Sequence, residues 1–457
     1  MFERIQHIHF VGIGGAGMSG IAEVLLTLGH VVSGSDQKDS DVLRRLKMLG
    51  ARVCLGHQAS QVEGAHVVVT STAVAADNPE VLEARKRNVP VIPRVEMLAE
   101  LGRLKYTVVV AGTHGKTTTT SLISLVLQAG GLDPTVIVGG RMHNIGTGAR
   151  VGRGDYLVAE ADESDGSFLK LSPTFAVVTN IDDDHLDYWG TLDRLREGFE
   201  QFANKVPFYG AVLLGLDDAG ARRLLPLIRR PVITYGLTPD ARLRAEDVRA
   251  APTGTAFTVR RGTEKLGPFR WPVTGRHNVM NALAAVAVGL ELGVPFPVIA
   301  EALAGFQGVT RRMELKGEAE GVTVIDDYGH HPTEIKATLE ALRQRFPERR
   351  VVVLFQPHRY SRTKLLAEAF TACFARADVL GLLDIYPAGE KPIDGVTSDW
   401  LAAKITRAGL SVQRLPAADG ETRLRNLVKP GDVVLTLGAG DVWKWGERLL
   451  QGVARPA

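Results

Sequence analysis

The feature that most constrains this chain is a glycine-rich turn between an apolar strand pattern and an apolar helical pattern. The turn reads Gly-Thr-His-Gly-Lys-Thr-Thr over residues 112–118, after the apolar run 107–111 and before the apolar helical pattern 122–127. In such an arrangement, backbone N–H groups and the positive end of the helix dipole face phosphate oxygens. The sequence therefore predicts an α/β fold that binds a nucleoside triphosphate.

The residues of this turn supply different parts of the phosphate site. We expect Lys116 to reach the β- and γ-phosphates and the Thr117 hydroxyl to bind Mg²⁺. Position 110 is Val, so the first glycine comes later than in the general pattern G-x-x-x-x-G-K-[ST]. The residues assigned to the triphosphate are Gly112, Thr113, His114, Gly115, Lys116, Thr117 and Thr118.

Length and charge restrict the class of protein. The 457 residues predict two to four domains, and a net charge of +3 is too small to indicate nucleic acid or an anionic membrane as partner. The most apolar stretch, 279–292, is too short for a membrane span, and Glu3 and Arg4 interrupt any signal-peptide pattern. Cys54 and Cys373 are predicted to be small core residues in a reducing compartment. We therefore expect a cytoplasmic protein with neither nucleic acid nor membrane as partner.

A second glycine turn lies near the start of the chain. The strand pattern 8–11 runs into Gly-Ile-Gly-Gly-Ala-Gly at 12–17, and Asp36 follows 24 residues after Gly12. This spacing is typical of a fingerprint in which a helix start holds a pyrophosphate and the acid binds a ribose hydroxyl. Any pyrophosphate fits that geometry, so NAD is not required. A tight turn without a ligand is the alternative.

Strand patterns alternate with helical patterns along the chain, which predicts parallel sheets covered by helices on both faces. A β-rich stretch at 256–273 interrupts the middle of this alternation. We expect three α/β domains, over residues 1–104, 105–308 and 309–457. The strands predicted for the third domain lie at 322–325, 351–355, 379–383 and 433–437.

Acidic residues follow two strand patterns of the middle domain. Glu160 ends a strand 44 residues after Lys116, where a Mg²⁺ ligand of a phosphate loop is expected. The alternative interpretation is an acidic surface turn, which is more credible for Asp162, Glu163 and Asp165 than for Glu160.

The second acidic segment, Asp-Asp-Asp-His at 182–185, predicts another metal site. His185 remains open between a metal ligand and a loop residue, because imidazole is an uncommon Mg²⁺ ligand. Asn278 and Asn281 lie three residues apart on one face of a helix start. Asn278 is either a helix N-cap or a ligand-binding residue, and Asn281 is a candidate partner of adenine or phosphate.

Polar clusters also follow two strands of the third domain, at 326–332 and 358–362. A transition-metal site of His330, His331 and His358 is disfavoured, because adjacent histidines on an extended loop point apart. His358 with Arg359 and Arg362 instead indicates an anion site for a carboxylate or a phosphoryl group.

Together these segments resemble the Mur ligases. The segments are 112–118, Glu-Ala-Asp-Glu-Ser-Asp at 160–165, Asp-Asp-His-Leu-Asp at 183–187, Asp-Asp-Tyr-Gly-His-His-Pro at 326–332 and His-Arg-Tyr-Ser-Arg at 358–362. The resemblance extends from Gly12 to the Gly-Ala-Gly-Asp turn at 438–441, and the late first glycine is normal for this family. It implies an N-terminal Rossmann-like UDP-binding domain, a central P-loop ATPase domain and a C-terminal Rossmann-like domain.

The resemblance implies an ATP-dependent ligase that joins L-alanine to the lactyl carboxylate of UDP-N-acetylmuramate through an acyl phosphate. This step belongs to peptidoglycan synthesis, on which cell wall biogenesis, cell shape and cell division depend. The implied ligands are ATP as co-substrate and two Mg²⁺ ions, and the implied assembly is a monomer or a weak homodimer. A recycling ligase that adds a preformed tripeptide to the same acceptor is the alternative within the family.

The resemblance also implies residue roles. Lys116, Glu160, His185 and Arg312 form the implied catalytic set. Thr117 and Glu160 are implied to bind one Mg²⁺, and His185 the second. The nucleotide would be surrounded by Asn278, Asn281, Arg312 and Asp327. The implied UDP-sugar residues are Gly12, Gly14, Gly15, Ala16, Gly17, Asp36, Ser71 and Thr72. The implied amino-acid and acceptor residues are Tyr328, His330, His358, Arg359 and Arg362.

Several relatives carry a carbamylated lysine on the helix after the histidine. Here we expect Glu200 to take its place, since no lysine occurs between His185 and Lys205. Two other classes of protein explain less of the sequence. An NAD-dependent oxidoreductase leaves Lys116 and Glu160 without a role, and a regulatory or transport NTPase accounts for the middle domain alone.

Overall fold

The computed structural model describes residues 6–71, 73–103 and 105–453, and these fold into three β-sheets flanked by helices. The chain divides into two compact units. The first comprises Met1–Arg244, Val259–Leu266 and Met280–Gln307. The second comprises Ala245–Thr258, Gly267–Val279 and Gly308–Ala457.

The first sheet is parallel, with the strand order β3-β2-β1-β4-β5. Its strands are β1 (His7–Val11), β2 (Val31–Asp36), β3 (Arg52–Leu55), β4 (Val67–Thr70) and β5 (Val91–Pro93). Its helices are α1 (Ala16–Thr27), α2 (Asp41–Met48), α3 (Pro79–Lys86) and α4 (Arg94–Gly102). The order reverses at β1, and ligands bind at the carboxyl ends of strands at such a point. The glycine turn at 12–17 follows β1 at this place.

The second sheet carries the phosphate loop between β6 and α5. Its strands in the first unit follow the order β12-β11-β10-β6-β9-β7-β8, and β8 is antiparallel to β7. They are β6 (Tyr106–Ala111), β7 (Thr135–Met142), β8 (Thr147–Arg150), β9 (Tyr156–Glu160), β10 (Phe175–Val178), β11 (Ala211–Gly215) and β12 (Val232–Gly236). The helices are α5 (Lys116–Ala129), α6 (Leu186–Trp189), α7 (Leu192–Asn204), α8 (Ala219–Leu224), α9 (Arg276–Glu291) and α10 (Phe296–Ala304). The strands β13 (Leu243–Ala251), β14 (Gly254–Arg261) and β15 (Glu264–Trp271) have residues in both units.

Helix α1 of the first sheet packs on the second sheet. A Cβ atom at Gly20 would lie 3.4 Å from the Cβ of Ala149 and 3.6 Å from Cγ2 of Ile137, on strands β8 and β7. Ile21, Ile137 and Ala149 belong to one buried cluster, which includes residues of both sheets. The two glycine-rich turns are therefore parts of one compact unit.

The third sheet has the order β16-β17-β21-β18-β19-β20, and only β16 pairs antiparallel in the part of the chain that is described. Its strands are β16 (Glu314–Ala319), β17 (Val322–Asp327), β18 (Val351–Phe355), β19 (Val379–Leu382), β20 (Val412–Arg414) and β21 (Val433–Leu437). Its helices are α11 (Pro332–Arg345), α12 (Tyr360–Leu365), α13 (Ala367–Cys373), α14 (Ser398–Arg407), α15 (Gly420–Leu427) and α16 (Trp443–Val453). Alternate residues of β18 enter two different cores, Val353 on one face and Val352 on the other.

The predicted α/β class is confirmed, and the strands predicted at 351–355 and 433–437 coincide with β18 and β21. The antiparallel strands β8 and β16 were not predicted. The prediction that Cys54 is a core residue is wrong, because β3 is an edge strand and the cysteine is exposed there, whereas Cys373 is buried. Among the described residues, none of the helices has the length and hydropathy that a bilayer crossing requires.

Candidate active site

The phosphate loop connects β6 to α5 through two glycines with positive φ, 131° at Gly112 and 81° at Gly115. A Cβ atom at Gly112 would lie 2.1 Å from Oγ1 of Thr179, and one at Gly115 would lie 2.6 Å from Oδ1 of Asn281. Both the backbone conformation and the close neighbours therefore require glycine at these positions.

Lys116 begins α5, and its ammonium group is held from two sides. Nζ donates to the carbonyl oxygens of Gly112 (2.7 Å) and Thr113 (3.2 Å), and it lies 2.9 Å from both carboxylate oxygens of Glu163. Burial acts to lower the pKa of Lys116, but Glu163 and Asp162 outweigh it and the pKa is raised. Lys116 is thus held as a cation at the phosphate loop.

Glu163 is not a residue of an acidic surface turn, and that interpretation is wrong. Its side chain is completely buried, and its carbonyl oxygen accepts a hydrogen bond of 2.9 Å from Nε1 of Trp189. Sequence reasoning missed its role, because three neighbouring acids in a loop after a strand ordinarily face solvent. Its burial beside Lys116 provides the counter-charge that the ammonium group needs inside the protein.

Thr117 and Glu160 meet beside the loop. Oγ1 of Thr117 donates to Oε2 of Glu160 (2.8 Å), and the backbone N–H of Gly139 donates to Oε1 (2.6 Å). A Cβ atom at Gly139 would lie 2.0 Å from Oε1, so a larger residue there would have to displace the Glu160 carboxylate. The structure therefore brings together the two residues predicted to bind Mg²⁺, and their oxygen donors suit that ion.

His185 follows β10 and has a left-handed backbone, with φ 58°. A non-glycine residue in this conformation is uncommon and is often found at functional sites. Nε2 lies 3.7 Å from Oε1 of Glu163 and 3.7 Å from Oδ2 of Asp184. His185 and Lys116 thus share one buried carboxylate, which the sequence did not indicate.

The loop before His185 is joined to the phosphate loop. Nε2 of His114 lies 2.9 Å from Oδ2 of Asp182, and Oγ1 of Thr113 accepts a hydrogen bond of 2.9 Å from the Asp182 N–H. Oδ1 of Asn180 accepts a hydrogen bond from the His114 N–H (2.8 Å), and Nδ2 of Asn180 donates to the His114 carbonyl oxygen (3.0 Å). Burial, followed by the neighbouring Asp182, raises the pKa of Asp183.

The two asparagines of α9 have different surroundings. Oδ1 of Asn281 accepts from Oγ1 of Thr119 (3.1 Å), so Asn281 lies against the phosphate loop and α5. Asn278 is the third residue of α9, and its Nδ2 donates to the carbonyl of Thr274 (2.8 Å). The N-cap alternative for Asn278 is therefore wrong, because an N-cap residue precedes the helix and accepts from its N–H groups.

The glycine turn at 12–17 is fixed by the end of β2. The N–H groups of Gly12 and Ile13 donate to the carbonyl of Ser35 (2.8 and 2.9 Å), and that of Gly14 donates to Oδ2 of Asp36 (2.9 Å). Gly15 precedes α1, Ala16 is its first residue and Gly17 its second. Ser71 directly follows β4, whereas Thr72 lies outside the described residues.

A buried polar network includes Ser35, the residue whose carbonyl oxygen fixes this turn. Oγ of Ser35 donates to Oε2 of Glu80 (2.6 Å) and lies 2.9 Å from Nδ1 of His57. Nε2 of His9 lies 3.3 Å from the same Glu80 oxygen. Glu80 is fully buried at the start of α3. Sequence reasoning missed this network, whose members are up to 71 residues apart.

In the second unit, Arg311 and Arg312 both approach Tyr328, each with Cζ 5.1 Å from the ring centroid. The carboxylate of Asp327 accepts from the N–H groups of Met313 and Gly329, both at 2.8 Å. Burial raises the pKa of Asp327, and the positive charge of Arg312 opposes that rise. The predicted residues Arg312, Asp327 and Tyr328 thus lie together at the carboxyl end of β17.

Of the three histidines of this cluster, His330 and His358 lie near each other, whereas His331 begins a helix. The rings of His330 and His358 lie 5.8 Å apart, and His358 stacks on Tyr386 at 5.5 Å. Nη1 of Arg362 lies 3.3 Å from Nδ1 of His358. His331 is the N-cap of α11 and accepts from the Thr333 N–H (3.3 Å).

Two further predicted residues lie at the start of a helix and on a helix, respectively. Arg359 precedes α12 with φ 70°, and its N–H donates to the Tyr386 carbonyl at 2.8 Å. Glu200 is half-buried on α7, and its carbonyl accepts from the amide of Asn204 at 3.1 Å. The replacement of a modified lysine by Glu200 stays a prediction.

The chain has three β-sheets flanked by helices, and its phosphate loop lies beside carboxylates at strand ends. These features together define a nucleoside-triphosphate-dependent enzyme. Three family models match the chain: the catalytic domain of the Mur ligase family over residues 7–106, the Mur ligase middle domain over 110–289, and the Mur ligase glutamate ligase domain over 311–440. The chain belongs to the Mur ligase family. The family resemblance of the sequence motifs is thereby confirmed.

Individual relatives match over almost the whole chain. UDP-N-acetylmuramate–L-alanine ligase of Geobacter sp. (strain M21) is 55% identical over 452 residues, covering 98% of both chains. The crystal structure of UDP-N-acetylmuramate–alanine ligase from Thermotoga maritima has a TM-score of 0.83 at 30% identity and covers 98% of both chains. A murein peptide ligase structure from Psychrobacter arcticus has a TM-score of 0.74 at 24% identity, over 99% of both chains, and supports the fold alone.

Proposed function

We propose that this chain joins L-alanine to the lactyl carboxylate of UDP-N-acetylmuramate and converts ATP to ADP and phosphate. The observation that carries the proposal is the 55% identity, over 98% of both chains, to a relative of that name. The cytoplasm is the compartment that fits these substrates, and the proposed assembly is a monomer or a weak homodimer. Domain limits of 1–104, 105–308 and 309–457 belong to the same proposal.

The reaction has to activate a carboxylate, because a carboxylate oxygen is a poor leaving group. The lactyl carboxylate attacks the γ-phosphate of ATP, which gives an acyl phosphate and ADP. The amine of L-alanine then attacks the acyl carbon, and the tetrahedral intermediate collapses to the amide and inorganic phosphate. In the first step two anions approach each other, so positive charge has to be fixed around the γ-phosphate.

Lys116 supplies a fixed positive charge at the loop, since its ammonium group is held as a cation beside Gly112 and Thr113. Mg²⁺, when bound, neutralises further charge on the phosphate oxygens. Thr117 and Glu160 fit one ion, because a hydroxyl and a carboxylate oxygen already lie 2.8 Å apart there. His185, whose Nε2 lies 3.7 Å from Asp184, is the proposed ligand of a second ion.

The proposed function assigns a set of binding residues to each substrate. The glycine turn, with Asp36, Ser71 and Thr72, binds the UDP-sugar. Asn281 lies against the phosphate loop, and Asn278, Arg312 and Asp327 are the proposed nucleotide residues of the second unit. The amino acid and the acceptor carboxylate are assigned to Tyr328, His330, His358, Arg359 and Arg362, among which the arginines match a carboxylate in charge.

Parallel assays test the proposal. Phosphate release from ATP is measured with UDP-N-acetylmuramate and either L-alanine or the preformed tripeptide, with matched samples that lack the UDP-sugar. We expect release that depends on both L-alanine and the UDP-sugar. Release with the tripeptide alone would establish the recycling ligase instead. Release without any UDP-sugar would establish a regulatory or transport NTPase.

A further inference from the structure

Arg94 is a residue at the first sheet for which the family motifs of the sequence give no role. It begins α4 directly after β5, and β5 runs parallel to β4, which in turn pairs with β1. The carboxyl ends of these strands share one edge of the sheet. Arg94 therefore lies at the same edge as the glycine turn that follows β1, where ligands of such sheets bind.

The Arg94 guanidinium lies on the first turn of α1. A Cβ atom at Gly17 would be 2.0 Å from Nη1 and 3.1 Å from Cζ of Arg94. Gly17 is the second residue of the 12-residue helix α1. Because Gly17 has no side chain, there is space beside this turn of α1, and the guanidinium occupies it.

The other arm of the guanidinium points to the second sheet. Nη2 of Arg94 donates to Oδ2 of Asp162 (2.8 Å), and Oδ1 of Asp162 accepts from the Ser164 N–H (3.0 Å). The next residue, Glu163, binds Lys116. A single pair of adjacent acids thus contacts Arg94 on one side and the lysine of the phosphate loop on the other.

The electrostatics of this position favour an anion. The Arg94 guanidinium and the N-terminus of α1 are both positively charged and repel each other. An anion that contacts the guanidinium and the helix N-terminus together is therefore stabilised by each of them. Asp162 supplies only one such charge, and it contacts Nη2. The side chains of Arg94 and Asp162 retain 33% and 43% of their exposure, so a solute can reach them.

We propose that Arg94 binds the diphosphate of the sugar nucleotide through the Nη1 side of its guanidinium, while Asp162 holds the Nη2 side and positions it. Guanidinium groups recognise phosphates through paired N–H donors in a fixed plane, which Lys cannot reproduce. This inference rests on the proposed function, which places a UDP-sugar at the glycine turn. It adds a binding residue from α4 and a positioning residue from the acidic loop of the second sheet.

Isothermal titration of the full-length protein with UDP-N-acetylmuramate tests this assignment. Arg94→Ala should weaken binding by about 10- to 100-fold, the loss typical of a hydrogen-bonded charged group, and Arg94→Lys should restore only part of it. Asp162→Asn should weaken binding a few-fold in the wild-type background. It should have no further effect in Arg94→Ala, because Asp162 acts through Arg94.

Arg87→Ala is the matched control, since Arg87 forms an exposed ion pair with Glu83 on α3 of the same sheet. Its affinity should equal that of the wild type. Unchanged affinity in Arg94→Ala overturns the inference while the proposed function stands. The inference is also overturned if Arg94→Ala loses affinity for UDP-N-acetylmuramate and for an ATP analogue to the same extent and has a lowered unfolding temperature. A wild-type protein that does not bind UDP-N-acetylmuramate overturns the proposed function, and this inference with it.

Discussion

Nζ of Lys116 lies 2.9 Å from both carboxylate oxygens of Glu163, although the two residues are 47 positions apart. Glu163 is fully buried, whereas Lys116 keeps 19% of its side-chain exposure. The pair thus joins a carboxylate that is fully buried to a cation that is partly exposed at the phosphate loop. Its two members should respond differently to substitution.

Lys116→Ala is expected to lower turnover by about 10²- to 10³-fold, because it removes a fixed charge from the position where two anions react. Affinity for UDP-N-acetylmuramate should stay within two-fold, since Lys116 belongs to the phosphate loop and not to the first sheet. Steady-state kinetics and titration measure the two effects. Lys170→Ala removes an exposed ion pair with Glu96 and serves as control. Lost UDP-sugar affinity with retained turnover in Lys116→Ala would contradict the assignment of the two sites.

Glu163→Ala is expected to reduce the free energy of unfolding by about 3 kcal/mol, at the lower end of the range for a broken buried pair, because Lys116 is partly exposed. Denaturant unfolding at neutral pH measures it. Glu83→Ala removes an exposed pair with Arg87 and should have a much smaller effect on stability. Equal losses in the two variants would show that the Lys116–Glu163 contact contributes no more than a surface ion pair.

Glu160→Gln is expected to raise the Mg²⁺ concentration at half-maximal activity at least about ten-fold, because a neutral amide is a weaker ligand for a hard cation. Gly139→Ala should have a similar effect, since its Cβ would displace Oε1 of Glu160. Activity measured over a Mg²⁺ titration tests both variants. Asp165→Asn, in the same loop, is the control. A Mg²⁺ dependence of Glu160→Gln that equals the wild type would exclude Glu160 as a ligand.

Glu80 predicts a pH dependence of stability. Burial acts to raise the pKa of Glu80, but hydrogen bonds involving His9 and Ser35 outweigh it, and the pKa falls below its ordinary value of 4.5. A carboxyl whose pKa is lower in the folded state stabilises the fold above the unfolded pKa, and this contribution is lost as the pH falls through the folded pKa. Glu80→Gln should therefore cost about 2 kcal/mol at pH 7 and progressively less below about pH 4.5.

Urea unfolding of the wild type and Glu80→Gln at several pH values between about 3 and 7 measures this difference. Glu63→Gln, at an exposed position of the segment between β3 and β4, is the control. A difference between wild type and Glu80→Gln that stays constant over this range would show that the charge of Glu80 does not stabilise the fold.

The sequence predicted the strand, the glycine turn and the helix of the phosphate loop correctly because their signals are local. Strand, glycines, Lys-Thr and helix are consecutive, and each imposes its geometry on the next. The position of Glu160 at the end of a strand was predicted for the same reason, whereas its role as a Mg²⁺ ligand stays a prediction. Glu163 was misinterpreted because its burial depends on Lys116 and His185, which reach it from other segments of the chain. No periodicity around residue 163 carries that information.

One further error, at Cys54, and one alternative that the structure excluded, at Asn278, have equally specific causes. Cys54 lies in an apolar sequence context, but its strand is at the edge of the first sheet, and strand order is decided by distant segments. Asn278 looked like an N-cap because the start of α9 could not be located to a single residue from sequence. The residues of the polar network around Glu80 come from β1, β2, α3 and the loop after β3, so only the fold could reveal it.

The packing of α1 on β7 and β8 has a consequence for any attempt to divide this protein. Gly20 lies within contact distance of Ala149 and Ile137, so a fragment that ended near residue 104 would expose the apolar side of α1 to water. Such a fragment should aggregate or fail to express. The shortest piece that retains the glycine turn at 12–17 in a soluble form has to include the chain through β8.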